Sequence, residues 1–314
     1  MEDEKIYRIM SMYEFYELYV NNRLKLSQIF IQNDKNDGIE SIFNQVLFAY
    51  YNWTRDIEKT FERTRKSRYI TCWSKSKDSM AIWLLYSKNN ESIRVMTTKR
   101  KLENVLNKYS ENISMYTQWE RPNDNIVSIE GMQRVRDVMY KDIRAELSTL
   151  NDEFISLKKQ IEIINKEDQE KYINEFTKIF QSFYDKLNKK YKFNEFIKDS
   201  SFSFENEVRG EIHLAIKNDK YTSKEDWIRK TEESLAAPIS DDLNGILPPV
   251  TYASVPNDFI EEICFDPRME NYKKTVLMSL LKIDSSLIAE SKIFSPIITL
   301  NTKLDPIKGI LDNL

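Results

Sequence analysis

Residues 201–216 read Ser-Phe-Ser-Phe-Glu-Asn-Glu-Val-Arg-Gly-Glu-Ile-His-Leu-Ala-Ile. Apolar and polar residues alternate through this stretch, which predicts a β-strand. A strand's pleat sends neighbouring side chains to opposite faces. Glu205, Glu207, Arg209 and Glu211 then share one face, and Phe204, Asn206 and Val208 take the other. Three carboxylates and a guanidinium in one row have two readings. One is a solvated strand face. The other is the wall of a cleft, in which Arg209 steadies a carboxylate that stabilises a cationic transition state or takes a proton from a nucleophile.

Strands and helices alternate on both sides of this stretch. Residues 6–10 and 24–27 predict strands around a helix at 12–20, where Met12, Phe15, Tyr16 and Tyr19 fall at helical spacing. Residues 33–38 form a loop, and 42–61 predict a helix. RYITCWS (68–74) predicts a strand, followed by a short helix, MAIWLLY (80–86), with Asp78 as its cap. In that helix Trp83 and Tyr86 stand three residues apart and share a face. Their rings are either ordinary core or a cleft wall able to stack on a flat heterocycle, with Ser74 nearby to bond an amide. A strand at 92–97, a helix at 99–109 and a strand at 113–119 follow. Beyond the quoted stretch, the pattern predicts a helix at 227–235, a proline-containing loop at 237–249, strands at 259–265 and 293–300, and a helix at 272–281.

The middle of the chain has a different period. Ile143, Leu147, Leu150, Phe154, Leu157, Ile161 and Ile164 step alternately by four and three, and Ile173, Phe176, Phe180, Phe183 and Leu187 continue the rhythm. The first series extends back through Val135 and Met139. Two long antiparallel helices are predicted, at about 130–165 and 168–196, with Asp168 capping the second. The expected fold class is α+β. Residues 1–128 and 199–314 form one discontinuous domain, and 129–198 form a helical-hairpin insertion that either packs on itself or serves as an arm for a partner.

Composition narrows the chemistry. The 314 residues carry 47 Lys+Arg against 50 Asp+Glu, a net charge of −3. Nothing in that balance draws the whole molecule to nucleic acid or anionic lipid. With one histidine, His213, any multi-histidine metal site within the chain is excluded. Cys72 and Cys264 form no CxxC pair and read as inert thiols. Asp241 and Asp242 read as a solvated loop, and 186–192 (KLNKKYK) as a basic helix end. Only five glycines occur, where roughly 20 would be expected at average usage. GxGxxG, the P-loop and the GxSxG elbow are absent, so side chains and ordinary backbone must hold any nucleotide. The acidic start, MEDEK, is followed by no apolar signal region, and the longest apolar stretch is 80–86. The expectation is a cytoplasmic protein without a membrane segment.

Four segments in order resemble the bacterial family called domain of unknown function 2971. They are NDGIE (36–40), TCWS with the IWLLY helix, FENEVRGE (204–211) and FIEEICFDP (259–267). The resemblance covers about residues 5–100 and 200–295. The hairpin lies outside it, and Gly38 stands where the family turn has proline. The family's layout is similar to an ADP-ribosyltransferase, which implies a split, mixed or antiparallel sheet. By that resemblance Tyr7 or Arg8 matches the first site position, Ser74 (or Ser76, in CWSKS) the second, and Glu207 the third. Glu205 matches the first glutamate of E-x-E.

The resemblance implies NAD as substrate, no metal, and a macromolecular target that is RNA, DNA or protein. It also implies a toxin-like role in anti-phage defence, with an antitoxin or regulatory protein as a further partner. The residue types suit that chemistry. Trp83 or Tyr86 can stack on nicotinamide, Arg8 can pair with pyrophosphate, and Glu207, steadied by Arg209, can stabilise an oxocarbenium-like ribose. Two other classes compete with it. One is a non-catalytic binding module that uses the hairpin as its arm. The other is a metal-dependent nuclease, for which the chain supplies carboxylates but no recognisable motif.

Overall fold

A computed structural model describes residues 3–32, 34, 37, 62, 65–113, 126–128, 133–163, 169–191, 196–216 and 247–295. The fold is α+β, with helices around a mixed open sheet. The described strands are β1 (Lys5–Met10), β2 (Arg23–Gln28), β3 (Arg68–Ser74), β4 (Ile93–Thr98), β5 (Ile126–Ser128), β6 (Arg134–Lys141), β7 (Phe196–Asp199), β8 (Glu207–Ile216), β9 (Val250–Ser254) and β10 (Glu262–Phe265). The described helices are α1 (Met12–Tyr19), α2 (Met80–Tyr86), α3 (Lys99–Asn112), α4 (Ile143–Glu162), α5 (Gln169–Tyr191) and α6 (Asn271–Leu281).

The sheet is built on one ribbon. β3 and β8 pair antiparallel from Arg68 opposite His213 to Ser74 opposite Glu207. Both outer edges of that ribbon fork. On the β3 edge, the Ser74 end pairs with Tyr7 of β1, while Ile70 and Tyr69 pair with Ser27 and Gln28 of β2. On the β8 edge, the Glu207 end takes β6 and the Leu214 end takes β5. β4 and then β10 continue beyond β1, β9 continues beyond β2, and β7 lies beyond β6 in a parallel pairing. Because β1 touches β3 at a single register position, the two strands part just after Tyr7.

Period-two alternation divides the ribbon's faces. Tyr69, Trp73, Val208, Ile212 and Leu214 enter the apolar core with Leu102, Val105 and Leu106 of α3. Gly210 lies where α3 approaches most closely: a Cβ there would come within 2.8 Å of Leu106 Cδ1 and 3.0 Å of Thr71 Cγ2. The other face carries Ser74, Cys72, Glu207, Arg209 and Glu211.

The hairpin forms, and Leu157, Ile161 and Phe183 are buried in it, with a Lys186–Glu153 ion pair at 3.4 Å joining the two helices. Its boundaries differ from the expectation. Residues 134–141 and 196–199 are strands of the main sheet, not helix ends. Val135 and Met139 continue the helical spacing of α4, but RVRDVMYK also alternates, and pairing with β8 decides in favour of the strand.

Other differences are local. Residues 200–205 form a 3₁₀ turn, so Glu205 precedes β8 instead of lying in it; Asn206 adopts φ 45° and breaks the strand. Ser79 caps α2, and Asp78 instead bonds Arg94. The strand predicted at 259–265 is confined to 262–265, and no strand forms at 293–295. The elements expected at 42–61, 114–119, 227–235 and 296–300, with Asp168 and the Asp241-Asp242 pair, lie outside the described residues.

Candidate functional site

Where β1 leaves β3, an open cleft of about 1570 Å³ enters the fork. Arg8 of β1, Ser74 of β3, Tyr86 of α2, Lys198 of β7, Glu205 just before β8 and Glu207 at its start all line it. The register explains the meeting. Tyr7 stands opposite Ser74, and Ser74 opposite Glu207, so the three lie in one row across three strands. Adjacent Cα atoms in such rows are about 4.5–5.5 Å apart.

The charged face of β8 is not solvated. Glu207, Arg209 and Glu211 are 3%, 0% and 3% exposed. Asp37, Lys198 and the ring of Phe196 close over its Glu207 end. Buried charges must be paired to persist, and here they form an alternating series. Asp37 accepts from Arg209 Nη1 at 2.6 Å and Nη2 at 3.1 Å. Glu207 accepts from Arg209 Nε at 2.7 Å and from Lys198 Nζ at 3.2 Å. Glu205 accepts from Lys198 Nζ at 2.6 Å and from the Tyr86 hydroxyl. At the far end of the same face, Glu211 accepts from Arg68 Nε at 2.6 Å and Nη2 at 2.7 Å, and meets His213 Nε2 at 2.6 Å.

These surroundings pull the two cleft glutamates apart. Burial raises the Glu205 carboxyl above its ordinary range, only partly offset by Lys198 and Tyr86. Burial acts on Glu207 too, but Arg209 and Lys198 outweigh it and hold that carboxyl below the usual range. One carboxylate is therefore locked in its ionised form while its neighbour takes up a proton more readily, the arrangement acid–base chemistry uses. Burial and the neighbouring Glu205 push the Tyr86 phenol up, so it stays a donor. Burial and the Glu207 charge do the same to the Cys72 thiol, which faces the cleft protonated.

Arg8, Ser74, Tyr86, Glu205 and Glu207 thus converge, and three other expected residues do not line the cleft. Tyr7 is buried, with the Arg94 guanidinium 5.5 Å from its ring centre. Trp83 is core, its indole nitrogen 3.4 Å from Asp78, so it does not share a cleft wall with Tyr86. Arg209 stands wholly buried behind Glu207 and positions it. Ser74 is also a positioning residue: its hydroxyl donates to the Glu205 carbonyl at 2.6 Å and accepts from Ser76 N at 3.0 Å. Arg8 donates to Thr71 and to Glu14 of α1.

Four participants escaped the sequence reading. Asp37 lies in the quoted NDGIE turn but carried no assigned role. Lys198 sits in FIKD, where only a strand assignment would have aimed it at the glutamates. Tyr140 accepts the Glu207 backbone N–H at 2.8 Å, and Glu14 caps Arg8. Among the described residues no cluster of His, Cys, Asp or Glu suits a metal ion, and no helix is long and apolar enough to cross a membrane. The chain matches no protein-family model, no curated protein and no solved structure.

Proposed function

We propose that the cleft binds NAD and transfers its ADP-ribosyl group to a macromolecular target or to water, making the protein an ADP-ribosyltransferase or NAD glycohydrolase. The supporting observation is that Arg8, Ser74 and the Glu205–Glu207 pair, from three separate stretches of sequence, line one cleft at a fork in the sheet. In the proposed step the bond from ribose C1′ to nicotinamide breaks, and its electron pair leaves with neutral nicotinamide. A target oxygen or nitrogen, or water, bonds to C1′ and gives its proton to Glu205. Ionised Glu207 stabilises the positive ribose. Arg8 exchanges Glu14 for the pyrophosphate, and the half-exposed Tyr86 ring stacks on nicotinamide. A toxin-like role in phage defence, with RNA, DNA or protein as target and an antitoxin as partner, accompanies this reading.

A second reading, a binding module, has its own support. Both oxygens of Glu207 and the hydroxyl of Ser74 are already engaged within the protein. Labelled-NAD transfer and consumption in cell lysate separate the two. Glu205→Gln keeps shape and polarity and is expected to lower turnover on the order of 10²–10³-fold. Retained NAD binding with no turnover by the wild-type chain favours the module. Full activity in folded Glu205→Gln defeats the transferase assignment of that residue.

A further inference from the structure

The hairpin is part of the cleft's chemistry as well as an appendage. Its outgoing strand, β6, pairs with β8 and supplies Tyr140 to the Glu207 backbone. Its returning strand, β7, lies parallel to β6 and ends in Phe196-Ile197-Lys198-Asp199. Period two aims Phe196 and Lys198 at the same side. Phe196 lies 5.9 Å from the Arg209 guanidinium, and Lys198 reaches between the glutamates. The Lys198 side chain is 9% exposed, and the Phe202 ring, 4.6 Å away, backs its ammonium group.

We infer that Lys198, delivered by the strand that closes the hairpin, is a positioning residue that bridges Glu205 and Glu207 and keeps Glu205 ionised to lower pH than its buried place would otherwise allow. Glu207 has Arg209 as a second cation, whereas Glu205 has Lys198 and the neutral Tyr86 donor. Removing Lys198 therefore changes Glu205 more than Glu207. Around this pair stand Asp37, Cys72 of β3, Tyr86 of α2, Tyr140 of β6 and Arg209 of β8, and the same cleft is lined by Arg8, Glu14 and Arg144. None of these others is a cation in contact with Glu205, so the lost charge has no replacement there among the described residues. An opposite charge at this range shifts a carboxyl by about 1–3 pH units.

This inference rests on the proposed reading only for its catalytic meaning; its test needs no turnover. The protonated-carboxyl infrared band of Glu205, identified by its loss in Glu205→Gln, is titrated in the full-length chain. In Lys198→Met the midpoint is expected to rise by about 1–3 pH units, and in Lys198→Arg, which keeps the charge, to return toward the wild-type value. An unmoved midpoint in Lys198→Met overturns the inference. Should Lys198→Met fail to fold, nitrogen NMR of lysine amino groups in Glu205→Gln reads the same contact from the other side. The Lys198 amine must then lose its proton at lower pH than in wild type, and an unchanged titration overturns the inference equally. Where NAD is consumed, the Glu205 midpoint in the pH–rate profile follows the infrared shift. A wild-type chain without NAD turnover defeats the transferase reading while leaving the infrared result to judge Lys198.

Discussion

Glu211→Gln is a sharp test of how this sheet tolerates its charges. The sequence pattern leaves the row of Glu211 either a solvated face or a cleft wall, and on the solvated reading its replacement is silent. In the fold it is 3% exposed, is gripped by Arg68 through two bonds of 2.6 and 2.7 Å, and meets His213 at 2.6 Å. Glutamine keeps the shape but removes the charge that the Arg68 guanidinium, itself 5% exposed, meets at Glu211. Breaking one side of a buried pair typically costs about 3–5 kcal/mol. In urea, with a slope of about 3 kcal/mol/M for a chain of this size, the midpoint falls by about 1–1.7 M at neutral pH. Burial raises the Glu211 carboxyl, but Arg68 and His213 outweigh it, so its folded pKa lies well below the unfolded value. The sign follows from linkage. This stabilisation is present above the unfolded carboxyl pKa, about 4.3, and fades as pH falls through the folded value. Wild type therefore loses stability below about pH 5 more steeply than the variant does. Equal urea midpoints for both at neutral pH, or parallel acid curves, refute the argument that this face is buried and paired.

Three further outcomes follow from packing and hydrogen bonding. Gly210→Ala places a Cβ 2.8 Å from Leu106 Cδ1, against α3, and is expected to lower stability by about 1–3 kcal/mol, read by urea unfolding. Ser74→Ala removes the bond to the Glu205 carbonyl; a loss of about 1 kcal/mol is expected, with faster amide exchange at residues 205–206 as the local readout. Arg8→Gln removes the ion pair with Glu14, in which the two side chains are 16% and 17% exposed, so some loss of stability accompanies it. If the cleft turns over NAD as proposed, it is also expected to raise the KM for NAD more than it lowers kcat, and steady-state kinetics check this.

The ribbon and the helices beside it were legible because their patterns are local. EVRGEIHL alternates, RYITCWS is rich in β-branched and aromatic residues, and the steps of four and three in 143–161 suit no strand. Residues 134–141 were misread for a physical reason. Val135, Met139 and Ile143 satisfy helical spacing, and only the distant edge of β8 selects the strand. Glu205 left its expected row because Asn206 accepts a left-handed conformation that ends the alternation. Burial of the charged row was hidden for a similar reason. Asp37 lies 172 residues from Arg209, and Lys198 is aimed at the glutamates only once β7 pairs with β6.

The charge order along this face bears on what the cleft can receive. Asp37, Arg209, Glu207, Lys198 and Glu205 alternate in sign, and each ion is held by its neighbours in the series. Three carboxylates against two cations leave one negative charge in excess when all are ionised. Both ends of the series are carboxylates: Asp37 accepts two bonds from Arg209, whereas Glu205 has Lys198 and a neutral phenol, so when it is ionised the less compensated charge is at Glu205. A positive centre arising in the cleft beside Glu205 would extend the alternation by one member. Its interaction would be strengthened by the low local dielectric that makes these charges costly to strand. On the proposed reading, the ribosyl cation that Glu207 stabilises as nicotinamide departs would be such a centre, present in the transition state and absent from both free protein and product. Stabilisation confined to that moment raises kcat. The same excess charge disfavours an anion at this end of the cleft; on the proposed reading the pyrophosphate would lie on the Arg8 side, where the Glu14 carboxylate already pairs with the guanidinium.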